Sequence, residues 1–463
     1  MIRIFRHYVS RVYLGLFLVE FFVFFMSMRY GHDLRFLSEE TWYTDEYLTL
    51  SSFIFAIVLS LSNIGIGLYR RSITQSDYNL LSRQTVSFVV SAIVLIIIYY
   101  TFPQFTIARG VLVYALLLAY FGMLIVRYVF YRYLKKDNIY KRVLIVGAGQ
   151  KAKKLIKSNE GLLHKSFKVC ACLALEGNVV ANEKDIYVFS DSTELLNVVL
   201  DKDIDEIVVA VDDRRSQLPM DELLDCKIYG ITVVDLVSFY ERELAIIDLD
   251  NIYPSWFVFS DGFSGGDFRA LEKRVVDIFA SFLLLSVSWP FMLVVAIAIL
   301  IESRFKGPVI YRQIRVGEMD KPFEVLKFRS MRTDAESKGA RMATLNDDRV
   351  TKVGRLIRKI RLDELPQIWN VLRGDMSFVG PRPERPEFVD SFDKTIPYYR
   401  KRHRVKPGIT GWAQLCYPYG ESEYDARQKL QYDLYYVKNY SMFLDLTIMI
   451  HTVEVILWGK GAR

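Results

Sequence analysis

Cysteine and histidine are scarce, at four and five residues in a chain of 463. Cys170, Cys172, Cys226 and Cys416 form no paired framework, which excludes a small disulfide scaffold and fits core thiols in a reducing compartment. Cys170 and Cys172 stand two apart in an apolar run and would share one face of a strand. His7, His32, His164, His403 and His451 never fall at metal-ligand spacing from one another, which argues against a zinc site. Charge is not scarce: 24% of residues carry it, an ordinary globular share, which excludes a disordered tail protein. Apolar residues make up 52%, with 31 Phe and 29 Tyr, and mean hydropathy is +0.17. Ordinary charge beside high apolar content implies segregation, with greasy segments in one part and charged domains in another. The length suggests two to four domains. The net charge of +7 suits anionic partners: phosphorylated substrates, anionic lipid or nucleic acid.

Four apolar stretches open the chain, roughly 9–28, 48–68, 86–102 and 108–130. Each approaches the length of a membrane-crossing helix. Glu20 interrupts the first, as one polar residue facing a bundle interior can. No small-residue cleavage site follows it, so a cleaved signal peptide is a poor reading. Arg3, Arg6 and Arg11 precede the first stretch, whereas the next loop is acidic, with Asp33, Glu39, Glu40, Asp45 and Glu46. Arg70, Arg71 and Arg83 follow the second, and Arg132, Lys135, Lys136, Lys141 and Arg142 follow the fourth. Base alternating between sides places both ends of the chain in the cytoplasm.

Residues 141–260 change character. Arg142–Val146 reads as a buried strand, followed by Gly147, Gly149 and Ala152 in the order G-x-G-x-x-A and then a helical pattern. That is the context of a dinucleotide fingerprint, in which glycines let the backbone approach a phosphate at a helix N-terminus. Further strands are expected at 167–175, 187–189, 204–211 and 231–234, with a helix over 191–200, giving a Rossmann-like α/β domain. Glu176 follows the second strand, where an acid could meet a ribose. A lone fingerprint does not establish a ligand, and a structural or regulatory module is the alternative reading.

From Ile278 to Ile301 run 24 residues without a charge, enough to cross a bilayer. Base on both sides, at Lys273, Arg274, Arg304 and Lys306, opposes a crossing. Ser288 and Pro290 stand mid-run, and a proline removes a ladder bond. The expectation is a re-entrant helical hairpin over about 275–301, broken at Pro290.

Beyond residue 303 the chain is polar and basic. Lys352 to Lys406 holds 14 Lys or Arg against seven acids, interleaved with prolines and glycines. Asp363 and Glu364 stand together before Pro366, and Gly380-Pro381-Arg382-Pro383-Glu384 suggests a fixed cradle for phosphate oxygens. A carboxylate can attack phosphorus, a second can hold Mg²⁺, and arginines can stabilise the transferring group.

These motifs, with Lys273-Arg274-Val275-Val276-Asp277, Pro308–Gln313, Phe323–Met331 and Pro407–Gln414, resemble the bacterial polyprenol-phosphate phosphoglycosyl transferases of the monotopic superfamily. The whole chain resembles their large form, which starts exopolysaccharide, capsule or O-antigen assembly. The resemblance implies a multidomain membrane protein: a four-helix transmembrane bundle (1–134), a Rossmann-like domain (141–260) and an α/β catalytic domain (267–463) anchored by the re-entrant hairpin. It implies a ping-pong reaction between a UDP-sugar, taken as UDP-glucose, and undecaprenyl phosphate, with Asp363 as nucleophile and Glu364 holding Mg²⁺. It assigns substrate contacts to Lys327, Arg329, Arg358, Arg373, Arg382, Glu384, Arg404 and Gln414. It also implies the inner membrane as location and a homodimer. Arg361 stands where the family often has a small hydroxyl residue. The last segment, Asp445 to Trp458, reads equally as an interfacial amphipathic helix or an ordinary packed one.

Two other classes would leave different marks. A non-catalytic scaffold or transporter component would tolerate change at Asp363 and Glu364. A membrane-tethered nucleotide-dependent oxidoreductase or epimerase would retain NAD(P) and depend on the Gly147–Gly149 loop. No motif for reading nucleic acid is present.

Overall fold

The computed structural model describes residues 2–4, 7–9, 11–36, 44–69, 77–102, 105, 107–134, 141–160, 167–175, 186–212, 218–263, 266–333, 335, 347–417, 420 and 422–458. Glu176 lies outside them. The chain divides into two compact units, one holding Val9–Leu244 and the other Ala245–Arg463 with Arg3–Tyr8. Two short strands, β1 (Ile2–Ile4) and β2 (His7–Val9), come first.

The first unit opens with four long helices: α1 (Arg11–Arg35), α2 (Asp45–Gly65), α3 (Asp77–Thr101) and α4 (Arg109–Leu134). All four are long and apolar enough to cross a membrane, as is a fifth helix in the second unit. Their polarity is inverted relative to a water-soluble bundle. Phe22, Ile57, Ile97 and Ile125 are exposed, whereas Glu20, Asn63, Gln84, Ser87 and Arg127 are buried. Glu20 is paired: Arg127 Nε donates to its Oε1 at 2.7 Å, and Tyr69 Oη donates to its Oε2 at 2.5 Å. Apolar surface outward and polar groups inward is what a lipid solvent selects.

The same unit continues as an α/β domain: β3 (Lys141–Val146), α5 (Gln150–Glu160), β4 (Phe167–Leu173), β5 (Tyr187–Phe189), α6 (Leu195–Asp201), β6 (Glu206–Val209), α7 (Met220–Ile228), β7 (Thr232–Asp235) and α8 (Leu236–Leu244). The strands form one parallel sheet in the order β5-β4-β3-β6-β7. Leu144, Val146, Ala171, Leu173 and Ile207 form a core with Leu195, Val199 and Leu223. Continuous apolar runs such as Val143–Val146 suit a strand covered on both faces.

The second unit begins earlier than the sequence suggests. Residues 245–260, expected in the middle domain, hydrogen-bond to the second unit instead. Trp412 Nε1 donates to Ala245 O at 3.0 Å, and Ile247 N donates to Gln431 O at 3.0 Å. Lys438 lies 4.3 Å from the Trp256 ring centroid on α9 (Pro254–Phe259). The parallel sheet is complete at β7, so this segment has no strand to join and buries Ile247, Leu249 and Ile252 elsewhere.

Helix α10 (Asp267–Glu302) holds the fifth apolar segment. The expected pair of helices broken at Pro290 is one continuous helix with Pro290 inside it. A proline removes one ladder bond from a long helix, and opening the backbone further in an apolar stretch would leave more groups unsatisfied. Both ends are fastened to the same unit. Lys273 Nζ reaches Asp445 Oδ2 (2.6 Å), Val379 O (2.9 Å) and Tyr436 Oη (3.0 Å). Arg274 caps the last carbonyls of the helix at 367–373, bonding Val371 O and Leu372 O at 2.6 Å each. Asp277 Oδ1 accepts from Ser377 Oγ (2.9 Å) and Phe378 N (3.0 Å). At the other end Val295 and Ile299 join Phe328 and Ile357 in a core cluster. Between these anchors Phe279, Phe282, Val287, Trp289 and Phe291 are exposed.

An antiparallel hairpin follows, β8 (Ile310–Val316) and β9 (Pro322–Phe328), with Tyr311 opposite Lys327. Then come α11 (Lys352–Lys359), α12 (Gln367–Arg373), β10 (Ser377–Val379), α13 (Pro386–Thr395), β11 (Gly408–Thr410), α14 (Trp412–Cys416), α15 (Glu423–Asn439) and α16 (Met442–Trp458). β10 and β11 pair in parallel. The terminal helix is a packed one: Leu444, Ile448 and Asp445 are buried, and Asp445 is held by Lys273 and Tyr436.

Candidate active site

Asp363 and Glu364 occupy a single 3-10 turn, Leu362–Glu364, between α11 and α12. Arg361 enters it in the left-handed region, at φ 60° and ψ 18°, a conformation that costs a non-glycine residue free energy. The turn is held from both sides by packing. Leu362 and Leu365 lie against the cluster of Val295, Ile299, Phe328 and Ile357, so the two acids sit beside the fastened end of α10. On the other side Asn370 of α12 clamps β9: its Oδ1 accepts from Leu326 N (3.0 Å) and its Nδ2 donates to Glu324 O (2.6 Å). That clamp fixes Lys327, the next residue on β9, against the turn.

Both carboxylates are buried, at 8% and 9% exposure, yet their surroundings differ. Glu364 Oε1 accepts from Lys327 Nζ and from Arg382 at 2.9 Å each, and its Oε2 lies 4.0 Å from Arg361. Burial opposes its ionisation, but Lys327, Arg382 and Arg361 outweigh burial and hold the carboxyl well below the usual range. Asp363 has no hydrogen bond among the described residues. Burial, and then the Glu364 charge, push its carboxyl up, against the pull of Lys327, Arg358 and Arg361. One acid is bound by two cations through a single oxygen; its neighbour keeps both oxygens open. Divergent environments of this kind separate the roles of paired carboxylates.

Of the residues singled out in the sequence, Lys327, Arg358 and Arg382 converge with Asp363 and Glu364. Others do not. Arg329 is buried and its guanidinium bonds Lys306 O at 3.1 Å, fixing the turn after α10. Arg373 is exposed at the end of α12, 5.8 Å from the Trp369 ring centroid. Arg404 is exposed and unbonded among the described residues. Gln414 is half-buried, and its Nε2 has no hydrogen-bond partner among the described residues. Glu384 faces Arg315 at 3.7 Å, one step from Arg382. Sequence reasoning missed the side chains that hold the cradle: Arg315, Asn370, Arg402 and Asp433. Only spatial proximity identifies them.

The fingerprint loop in the first unit is also described. Gly147 has φ +115°, and a Cβ there would lie 2.6 Å from Ala210 O, so only glycine fits. Ala152 is fully buried. The helix terminus beyond is already part-occupied by an anion of the chain. Gln150 N and Lys151 N already donate to Asp212 Oδ2 (2.7 Å) and Oδ1 (2.9 Å). The nucleotide site expected at Gly147, Gly149 and Ala152 thus has its anion supplied by the chain itself.

Comparison with known proteins follows the same division. Residues 65–217 match a family model described as a CoA-binding domain, and residues 268–459 match the bacterial sugar transferase model. A UDP-N-acetylgalactosamine-undecaprenyl-phosphate N-acetylgalactosaminephosphotransferase of Aeromonas hydrophila is 49% identical over 241 residues, 52% of this chain and 56% of that protein. A UDP-glucose:undecaprenyl-phosphate glucose-1-phosphate transferase of Klebsiella pneumoniae is 37% identical over 275 residues, 58% of each. The matches span little more than half the length of these two relatives. The exopolysaccharide production protein PSS of Rhizobium leguminosarum bv. phaseoli is 41% identical over 196 residues, 41% of this chain but 97% of that protein. Because this 41%-identical relative is covered over 97% of its length and residues 268–459 match the family model, the chain belongs to the bacterial sugar transferase family.

Proposed function

We propose that this protein moves a hexose 1-phosphate from a UDP-hexose to undecaprenyl phosphate, releasing UMP and starting a polysaccharide on its lipid carrier. The observation that carries the reading is the asymmetry of the two acids: Glu364 bound by Lys327 and Arg382, and Asp363 buried but unbonded. An Asp363 oxygen attacks the sugar-linked phosphorus. The bond from that phosphorus to the bridging oxygen breaks, and UMP carries the electron pair away. A phosphate oxygen of the lipid then attacks the acyl-phosphate, and Asp363 leaves as the free carboxylate. No net proton transfer is required. Lys327, Arg358, Arg361 and Arg382 outnumber the two acids and would neutralise the transferring phosphoryl group.

The donor set fits Mg²⁺, which commonly takes one or two carboxylates plus substrate phosphates. Among the described residues no three acids, histidines or cysteines cluster, and the Glu364 oxygen left free by Lys327 and Arg382 would be the protein ligand. When bound, the ion would polarise the diphosphate and add positive charge. Two donors are named among the relatives, UDP-glucose and UDP-N-acetylgalactosamine. UMP release measured with each, in the presence of undecaprenyl phosphate, tests the activity and selects the sugar. Release with neither would refute it.

The apolar surface of α10 beside the acids supports lipid access along that helix. With both ends fastened to one unit, the helix embeds in the cytoplasmic leaflet of the inner membrane without crossing it. The first four helices cross it, and two chains associate as a homodimer. Periplasmic reagents should therefore label a cysteine placed at Glu40, but none at Tyr229 or Arg373.

A further inference from the structure

The backbone from Val379 to Glu384 is held at nearly every carbonyl. Val379 O accepts from Lys273 Nζ (2.9 Å) and Tyr436 Oη (3.1 Å), and Pro381 O from Gly408 N (3.0 Å). Arg382 O accepts from Arg402 (3.0 Å), Pro383 O from Arg315 (3.1 Å) and Glu384 O from Val316 N (2.9 Å). Pro381 and Pro383 have no N–H, so the strand cannot be fixed through a ladder on both edges and depends on its carbonyls.

Among the charged donors Arg402 is the most deeply buried. It is 4% exposed and lies 2.7 Å from the carboxylate of Asp433 on α15, itself 2% exposed. Its other nitrogen donates to Tyr399 Oη at 2.9 Å. Burying a guanidinium and a carboxylate together is expensive and contributes little net stability. A pair kept under that penalty and aimed at the main chain of Arg382 has an evident product: the Arg382 guanidinium meets Glu364 Oε1 at 2.9 Å. Neither Arg402 nor Asp433 is bonded to Asp363 or Glu364.

The geometry points to Asp433 and Arg402 as positioning residues for the reaction: they lock the Arg382 backbone so that its side chain stands ready on Glu364 and on the phosphate bound there. This rests on the reading of the Asp363–Glu364 centre above. Pre-set placement of a charged group is worth one to two decades in rate when lost. Asp433→Asn and Arg402→Lys both loosen the device. The second keeps a cation beside Asp433 but replaces the planar fork with a single ammonium, so it preserves the fold best.

The test is a double-mutant cycle on kcat/KM for the UDP-hexose, using the full chain in nanodiscs. Each variant should lose about 10- to 100-fold in the wild-type background and less than about 2-fold in an Arg382→Ala background, because its effect passes through Arg382. Arg402→Lys should retain more activity than Arg402→Met. If Asp433→Asn folds poorly, the Arg402→Lys cycle decides alone. Equal losses in both backgrounds would reduce the pair to a stabilising contact and overturn the proposal, as would no loss in either. Full turnover by Arg382→Ala itself would instead overturn the reading of the centre, and the proposal with it.

Discussion

Replacing Asp363 with Asn separates chemistry from stability at one position. The carboxamide keeps the size and removes the attacking charge. Losing a covalent nucleophile should cut turnover by at least ~10³-fold, about 4 kcal/mol of activation free energy. Stability should move the other way. Burial and the Glu364 charge raise the Asp363 carboxyl, and an acid raised in the fold stabilises it only at pH low enough to protonate it. At neutral pH its ionisation is a net burden. The Asp363 carboxylate accepts no hydrogen bond among the described residues, so no hydrogen bond is broken by the change. The melting temperature of Asp363→Asn should therefore equal or exceed that of the wild type while activity is lost. Glu364→Gln is the contrast. It weakens the acceptor shared by Lys327 and Arg382 and should cost about 1–3 kcal/mol of stability as well as activity. The direct assay uses sugar-labelled UDP-hexose without lipid, followed by quenching and digestion. Label should sit on the peptide carrying Asp363 and chase off when undecaprenyl phosphate is added. A wild-type enzyme that never carries label, yet forms product whenever both substrates are present, would refute the covalent route. Direct attack by the lipid phosphate would replace it.

The acid limb of kcat/KM should lie above the ordinary aspartate value of about 3.9, because Asp363 must ionise and its carboxyl is raised; a pH–rate profile of UMP release checks it. His403, pushed down to about 4 by burial and then by Arg402, stays neutral in the fold where an unfolded histidine would charge. Its contribution is lost as pH falls from about 6.5 towards 4, about 3 kcal/mol in total, and His403→Gln should flatten the dependence of stability on pH over that window. Pro290→Leu restores the missing ladder bond in α10 and should let a fraction of molecules cross fully, carrying a reporter at Arg463 to the periplasmic side. An unchanged reporter would mean that Lys273, Arg274 and Asp277 set the path of the helix. Asp212→Ala removes the anion at the start of α5 and should cost about 1 kcal/mol, the scale of a lost helix cap, read by thermal unfolding of the middle domain.

Patterns that depend on neighbours in the chain were legible before any coordinates. The four long apolar stretches became helices of membrane length, because bilayer thickness is counted in consecutive residues. The parallel strands were legible as apolar runs, because a strand buried on both faces needs no partner to declare itself. Asp363, Glu364, Lys327 and Arg382 could be named from residue types and motif spacing. What the tertiary structure decided is which of two adjacent acids is bound and which is open. That depends on Lys327 of β9 and Arg382 of the Gly380–Glu384 segment meeting at one Glu364 oxygen, from 37 residues before Glu364 and 18 after it. It also decided that Glu20 is paired with Arg127, 107 residues away, that Asp212 caps the start of the fingerprint helix, and that residues 245–260 belong with the second unit. Charge pairing and burial are properties of space, and a sequence records only order along the chain. Pro290 shows the limit from the other side: a local rule predicts a break, and the many remaining ladder bonds of an apolar helix, fastened at both ends, keep it continuous.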